Sequence, residues 1–467
     1  MGETRMGNPH VLVIPYPAQG HVIPLMELSL CLAKHGFRVT FVNTEYNHKL
    51  VKNALSTRED KWDQNQIHLV SVSDGLESLE DRNKPGKISE AILRVMPRNV
   101  ERLIEKIHGS ANDKISCVLA DQSLGWALEI AEKTGIKRAA FCPAAAALLV
   151  LSLSIPKLID DGIIDCEGTP TKKQIIKLSP TMPDMNTENF VWACLGHKDA
   201  QRNIFELMVK NNRSLKSTEW LLCNSTYELE AAAFTLAPQI RPIGPLLAST
   251  RLGDSAGNFW PEDSSCLKWL DQQPPKSVIY IAFGSMTVFE PTQFQELAMG
   301  LELCNRSFLW VVRPDILEKM DDAFPETFQE RVATHGQIVN WAPQQKVLRD
   351  PSIACFISHC GWNSTMEGVS NGVPFLCWPY FADQFLNQSY ICDMWKVGLG
   401  LTRDSRGIIT RDEIRSKVEQ LLENEDYKER ALKLKEIVLN NIKEGGDSYK
   451  NSKNFIEWLK DTSESSM

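Results

Sequence analysis

What most restricts the fold of this chain is an alternation that occurs twice along it. Short apolar runs trade places with segments of helical period: VLVIPY (11–16), a helical stretch from about His21 to Lys34, FRVTFVN (37–43), a helix near 89–108, ISCVLAD (115–121), a helix from about Ser123 to Thr134, and RAAFC (138–142). WLLCNS (220–225) closes this half. Runs that are apolar throughout suit strands covered on both faces, and the helices between them supply the cover. The pattern predicts parallel βαβ units in an open, doubly wound sheet. A second half repeats it with SVIYIAFGS (277–285), a helix over 291–303, SFLWVV (307–312), a strand near 337–341, IACFIS (353–358) and PFLCWP (374–379).

Between the halves, the stretch after RPIGPLL (241–247) is rich in Gly, Ser, Asp and Pro and has no apolar period, which reads as a linker. The expected division is a first Rossmann-like domain over 1–247, a linker over 248–262, a second Rossmann-like domain over 263–445 and a last helix over 446–467. Phe455, Trp458 and Leu459 in that helix stand at helical spacing. Ligands of doubly wound sheets bind outside the carboxyl ends of the strands, so two halves facing each other would bind theirs in a cleft.

Charge narrows the partners. A net charge of −8 leaves no basic surplus for nucleic acid, and no zinc spacing or aromatic-basic run is present. MGETRMGNPH lacks the pattern of a signal peptide, Met6 stands where a myristoylation motif needs Ser or Thr, and the apolar run Ala139 to Ile155 is broken by Pro143. A cytoplasmic protein without stable membrane insertion is expected. The twelve cysteines, several in apolar strands, are then expected as reduced core thiols. A Gly-x-Gly-x-x-Gly after a first strand, a Gly-Lys-Ser/Thr loop and an Asp-x-Asp are all missing, which argues against nicotinamide dinucleotides, a phosphate loop and a diphosphate-bound metal.

Chemistry concentrates between Trp341 and Gln384, WAPQQKVLRDPSIACFISHCGWNSTMEGVSNGVPFLCWPYFADQ. Here the strand IACFIS runs into His359, a Cys360-Gly361 turn and a helix start bearing Asn363, Ser364 and Thr365, an arrangement suited to an anion. The segment resembles the signature box of the plant UDP-dependent glycosyltransferases of specialised metabolism (family 1). The resemblance extends over nearly the whole chain and implies the two-domain GT-B fold, with the last helix crossing back to the first domain.

The same resemblance assigns donor roles, each beside a plainer reading. Trp341 would stack on uracil, with Ala342 and Gln344 at the base edge, although Trp341 also suits a strand end. His359, Asn363 and Ser364 would meet the diphosphate, with Ser285 as a further phosphate-side contact; a turn histidine and a Gly284-Ser285 turn are the alternatives. Glu367 would take the ribose hydroxyls, whereas Ser364-x-x-Glu367 reads equally as a capping box. Asp383 and Gln384 would hold the hexose, with Asp383 otherwise an N-cap, and Gln rather than His at the end points to glucose over galactose. Trp362 would touch the sugar through its backbone.

Transfer to a hydroxyl needs a base, and His21 in PYPAQGHVIPL, just after the first strand, is the candidate, a helix cap being its plainer reading. Asp121 ends ISCVLAD at another carboxyl edge, and a carboxylate there would fix the imidazole tautomer. The resemblance makes these two the catalytic dyad. Ser123 departs from the pattern, since an aromatic often stands two positions after that Asp. For the acceptor pocket, Phe190, Trp192 and Pro143 are candidate walls or ordinary core.

The expected activity is inverting transfer of glucose from UDP-glucose to an apolar hydroxylated small molecule such as a flavonoid, phenylpropanoid or terpenoid, without cofactor or metal, by a monomer. A UDP-sugar epimerase or hydrolase on the same fold, and a non-catalytic binding protein, are the competing readings.

Overall fold

The computed structural model describes residues 9–56, 67–77, 82, 86–109, 113–247, 256–317 and 324–461. The chain forms two compact units, one of Met1–Trp260 with Asn441–Met467, the other of Pro261–Asn440. Each is built on its own parallel sheet.

In the first unit the strands are β1 (His10–Ile14), β2 (Arg38–Thr44), β3 (Ile67–Val72), β4 (Ile115–Asp121), β5 (Lys137–Cys142), β8 (Trp220–Cys223) and β9 (Ile240–Pro242), in the order β3-β2-β1-β4-β5-β8-β9. A two-stranded hairpin, β6 (Ile175–Ile176) with β7 (Met185–Asn186), lies apart from that sheet. Val11, Leu12, Val13 and Ile14 have no exposed surface, as a strand buried on both faces requires. From β1 the chain goes first to one side, through β2 and β3, and then crosses to the other, where β4 pairs with β1 and Ile14 stands opposite Ala120. This reversal of strand order is where a doubly wound sheet opens a crevice at its carboxyl edge.

The second unit follows the same plan with β10 (Val278–Ala282), β11 (Phe308–Val311), β12 (Gly336–Val339), β13 (Ile353–Ser358), β14 (Phe375–Cys377) and β15 (Gly398–Gly400), in the order β12-β11-β10-β13-β14-β15. Its reversal falls between β10 and β13, with Ala282 opposite Ser358. Phe294, Leu297 and Leu301 of the helix Pro291–Cys304 fill its core with Trp310 and Ile414.

The last helix, Asp447–Lys460, belongs to the first unit. Phe455 and Leu459 are buried in that core, and the Phe455 and Trp458 rings lie 5.5 and 6.1 Å from Trp220. Asn451 Nδ2 donates to the Pro242 carbonyl at 2.9 Å and Lys137 Nζ to that of Trp458 at 3.0 Å, which ties the helix to β9 and β5.

Of the stretch read as a linker, 248–255 lie outside the described residues. Residues 256–259 are packed: Ala256 and Phe259 join the core of the first unit, and Gly257, at φ +89°, lies so close to the helix Gln19–Lys34 that a Cβ there would stand 3.3 Å from Met26. Polar composition hid two anchoring side chains, Ala256 and Phe259. Among the described residues no helix is long and apolar enough to cross a membrane.

Candidate functional site

The two reversals carry two groups of polar side chains, each within its own unit. In the first unit His21 is the third residue of the helix Gln19–Lys34, which begins after the loop leaving β1. Its N-cap is Ala18, and the helix start has no side-chain cap bond, so capping is not the task of His21. The imidazole Nδ1 lies 2.7 Å from Asp121 Oδ2. Because β4 pairs with β1, its last residue arrives beside the start of this helix. The Asp121 side chain is fully buried whereas that of His21 is 28 % exposed.

Asp121 is fixed from both oxygens, since Oδ1 accepts from the Ser123 N–H at 2.8 Å. On the other side of the imidazole stands Tyr16, ring centroids 4.9 Å apart at 42°. Its hydroxyl pairs with Ser89 Oγ at 3.0 Å. Burial, reinforced by the Asp121 charge, raises the phenol above its ordinary pKa, so Tyr16 stays neutral beside the His–Asp pair. Tyr16 was missed in the sequence, where the Pro-Tyr-Pro turn masks it.

Phe190 and Trp192 have essentially no exposed surface. Their rings are tilted against each other at 5.0 Å, Trp192 lies 5.4 Å from the Phe205 ring, and Trp192 Nε1 donates to the Gly168 carbonyl. Pro143, following β5, is buried as well. All three are buried within the first unit.

In the second unit His359 directly follows β13. Its ring sits between two glycines: a Cβ on Gly284 would come to 2.7 Å from Nε2, and one on Gly361 to 2.5 Å. Burial lowers its pKa to about 4; the Arg313 charge acts in the same direction and the Ala282 backbone against it. His359 is therefore a neutral imidazole at physiological pH.

The turn after His359 falls at Cys360-Gly361, as expected. Cys360, not Gly361, takes the left-handed conformation, at φ +64°. The strain, of order 1–3 kcal/mol, is held by a hydrogen bond on each side. Ser358 Oγ accepts from the Cys360 N–H at 3.1 Å, and Asn387 Nδ2 donates to the Cys360 carbonyl at 2.8 Å. Gly361 is then the N-cap of the helix Trp362–Asn371, and no side chain caps it. The early N–H groups of that helix have no partner inside it, the feature that makes a helix start an anion site.

Since the cap is Gly361, Ser364 lies inside the helix and the capping box with Glu367 does not form. Glu367 is instead held by two amides from the helix Gln344–Arg349: Gln344 Nε2 reaches Oε2 at 2.5 Å and Gln345 Nε2 reaches Oε1 at 3.2 Å. The Gln344 amide also donates to Ser364 Oγ at 2.9 Å and accepts from Tyr280 Oη at 3.0 Å. Tyr280, Gln344, Gln345, Ser364 and Glu367 are thus one network. Trp341 is half-buried beside it, its carbonyl accepting from the Asp263 N–H at 2.8 Å, and Ala342 is buried.

Asp383 precedes the helix Gln384–Ser389 but makes no side-chain cap bond; its Oδ2 accepts from Asn387 Nδ2 at 2.8 Å. Asn387 therefore joins Asp383 to Cys360. Gln384 Oε1 accepts from the backbone N–H groups of Tyr380 and Phe381, at 2.7 and 3.0 Å, which fixes the orientation of the amide. Trp362 is buried near the Tyr390 and Trp395 rings, Asn363 half-buried in the same first turn, and Ser285 half-buried after β10. No group of three or more His, Cys, Asp or Glu among the described residues is placed to hold a metal ion.

The chain matches two family models, one for UDP-glucoronosyl and UDP-glucosyl transferase over residues 254–441, the other for a glycosyltransferase N-terminal domain over 9–123. It is 54% identical to UDP-glycosyltransferase 83A1 of Arabidopsis thaliana over 465 residues, 98% of each chain. Among solved structures it resembles Os79 from O. sativa in complex with UDP, with a TM-score of 0.80 and 27% identity, covering 96% of this chain and 100% of that one. UGT2 of Phytolacca americana, complexed with UDP-2fluoro-glucose and pterostilbene, gives a TM-score of 0.78 at 25% identity, over 97% and 100% of the chains.

Proposed function

Because the chain belongs to the plant UDP-glycosyltransferases of family 1 and has their GT-B fold, we propose that it is an inverting glucosyltransferase, moving glucose from UDP-glucose to a hydroxyl of an apolar small molecule and giving a β-glucoside. The observation that carries this reading is the contact of His21 with the buried carboxylate of Asp121, 2.7 Å from Nδ1. With Nδ1–H donated to Asp121, Nε2 is the basic nitrogen, and the carboxylate stabilises the imidazolium that forms when Nε2 takes the acceptor proton.

The acceptor oxygen forms its bond to the anomeric carbon from the face opposite UDP, the C–O bond to UDP breaks, and the configuration inverts. The charge arriving on the diphosphate is met by neutral His359, by Asn363, Ser364 and Ser285, and by the first N–H groups of the helix Trp362–Asn371. Glu367, steadied by Gln344 and Gln345, takes the ribose hydroxyls, Trp341 stacks on uracil with Ala342 at the base edge, and Asp383 and Gln384 read the sugar beside Trp362. Gln344 serves the base edge through the network that binds Glu367. This set supplies the charge stabilisation without a metal ion.

Glucose is favoured by Gln384, and flavonoids, phenylpropanoids or terpenoids are proposed as acceptors by analogy with the family; the neighbour of known structure that holds pterostilbene supports an apolar phenol. The test is incubation with UDP-glucose and a mixed acceptor panel, read by mass. Addition of one hexose to an acceptor is expected. UDP-glucose consumed at the same rate without acceptor would mean a hydrolase or epimerase, and UDP-glucose bound but never consumed would mean a binding protein.

A further inference from the structure

Two residues beyond the end of β11, Arg313 has a side chain that is 5 % exposed. Its Nε and Nη2 grip the Asp315 carboxylate at 2.9 and 3.1 Å. Its Nη1 donates to two backbone carbonyls of the loop after β10, Gly284 at 3.0 Å and Thr287 at 2.9 Å. These carbonyls bracket Ser285. Gly284 is in the left-handed region, at φ +69°, and is the residue whose missing Cβ leaves room for the His359 ring.

We propose that Arg313 is a positioning residue for the donor diphosphate: by bonding both ends of the Gly284–Thr287 loop it holds Ser285 and the His359 imidazole in the geometry that receives the phosphates. The inference rests on the donor reading above, in which Ser285 and His359 touch the diphosphate.

The physical reason lies in the shape of the group. One planar guanidinium can bind a carboxylate with two N–H groups while a third donates to the paired carbonyls, so Asp315 fixes the plane and the plane fixes the loop. A lysine ammonium in its place has the charge but not the fork. Removing the guanidinium would leave two inward carbonyls without their donor, and a loop that turns through a left-handed glycine would be free to relax away from His359. The charge contributes too: it is a fixed cation on the donor-bearing unit, and it helps to keep the His359 ring neutral.

The full-length protein tests this through UDP binding by titration calorimetry, the KM values for UDP-glucose and acceptor, and thermal unfolding, for Arg313→Lys, Arg313→Met and His359→Ala. Loss of charge-assisted bonds predicts that Arg313→Met weakens UDP binding about tenfold or more while the acceptor KM moves by less than about twofold. Arg313→Lys should recover part of the affinity. A folded Arg313→Met with UDP affinity within about twofold of the parent, or with equal losses for donor and acceptor, overturns the proposal. If Arg313→Met does not fold, Asp315→Asn, which loosens the fork and keeps the cation, is read in the same way. His359→Ala separates the two failures: if it keeps full UDP affinity, the donor reading itself is wrong, and if it loses affinity while Arg313→Met does not, only the role of Arg313 falls.

Discussion

Asp121 lies wholly out of solvent and 2.7 Å from His21 Nδ1, although 100 residues separate the two in sequence. A buried carboxylate whose two oxygens are taken by an imidazole and by the Ser123 N–H can orient the ring without competing for the acceptor proton. His21→Ala should therefore lower kcat by about 10²- to 10⁴-fold while UDP affinity stays near that of the parent. Asp121→Asn, which preserves shape but not charge, should fall in the same range. Turnover unchanged in His21→Ala would remove the dyad from the mechanism.

Gln384 fixes its oxygen on the Tyr380 and Phe381 backbone, and the proposed sugar contact then falls to its nitrogen. An imidazole at this position cannot accept two backbone N–H groups and donate at the same time. Gln384→His is expected to lower glucose transfer relative to galactose transfer, measured as the ratio of kcat/KM for the two UDP-sugars. An identical ratio would place Gln384 away from the sugar.

Two amides hold Glu367, and Gln344 is the better placed of the pair. Gln344→Ala leaves a buried carboxylate short of a donor, at about 1–3 kcal/mol, and should weaken UDP binding by about tenfold. Glu367→Ala should weaken it at least as much. Equilibrium titration with UDP, and with UMP as a phosphate-poor control, decides whether the loss follows the nucleoside, as this placement requires.

His359 gives the stability curve a sign. Above about pH 6.5 the ring is neutral in both folded and unfolded chains and contributes nothing. Between that pH and about 4 the unfolded chain takes up a proton that the buried ring refuses, so stability falls as pH falls. The loss attributable to His359 is about 2 kcal/mol at pH 5 as an upper bound. His10 and His48, also depressed by burial, act in the same direction, so the comparison is between variants. Urea midpoints at pH 7 and pH 5 should differ less in His359→Gln than in the parent, and an equal difference would contradict the buried neutral ring.

Phe455 joins the final helix to the core beneath Trp220. Phe455→Ala should destabilise the first unit by about 3–5 kcal/mol, seen as an earlier unfolding step in denaturant. A midpoint unmoved by this substitution would mean that the last helix is not part of that cooperative unit.

The alternation of apolar strands and helices was legible because parallel strands buried on both faces leave long apolar runs. The pairing of β4 with β1 was only partly so: two carboxyl edges were expected to lie side by side, and the crossover is what puts Asp121 beside His21. Side chains that act through others left little trace. Tyr280 is one more apolar-looking position in a buried strand, Arg313 one charge after another such strand, and Asn387 an ordinary helical residue, so their hydrogen bonds had to be seen. Phe190 and Trp192 show another limit, since an aromatic that walls a pocket and one that fills a core have the same letters; the structure adds that both are buried. The Cys360-Gly361 turn was legible, but which of its two residues takes the positive φ was not, because glycine is the usual choice and neighbouring hydrogen bonds hold Cys360 there instead.

Phe259 donates its N–H to Gln19 Oε1 at 3.0 Å, and Gln19 opens the helix that bears His21. The chain leaving the first unit is therefore fastened two residues from the proposed base, and the next backbone anchor, Asp263 to Trp341, already belongs to the second unit. For recombination between relatives this sets the splice point. A hybrid joined near residue 247 would import a foreign strap onto the His21 helix and with it a mismatched Gln19 partner, whereas a junction at 260–262 exchanges the donor-bearing unit and leaves the base with its native fastening.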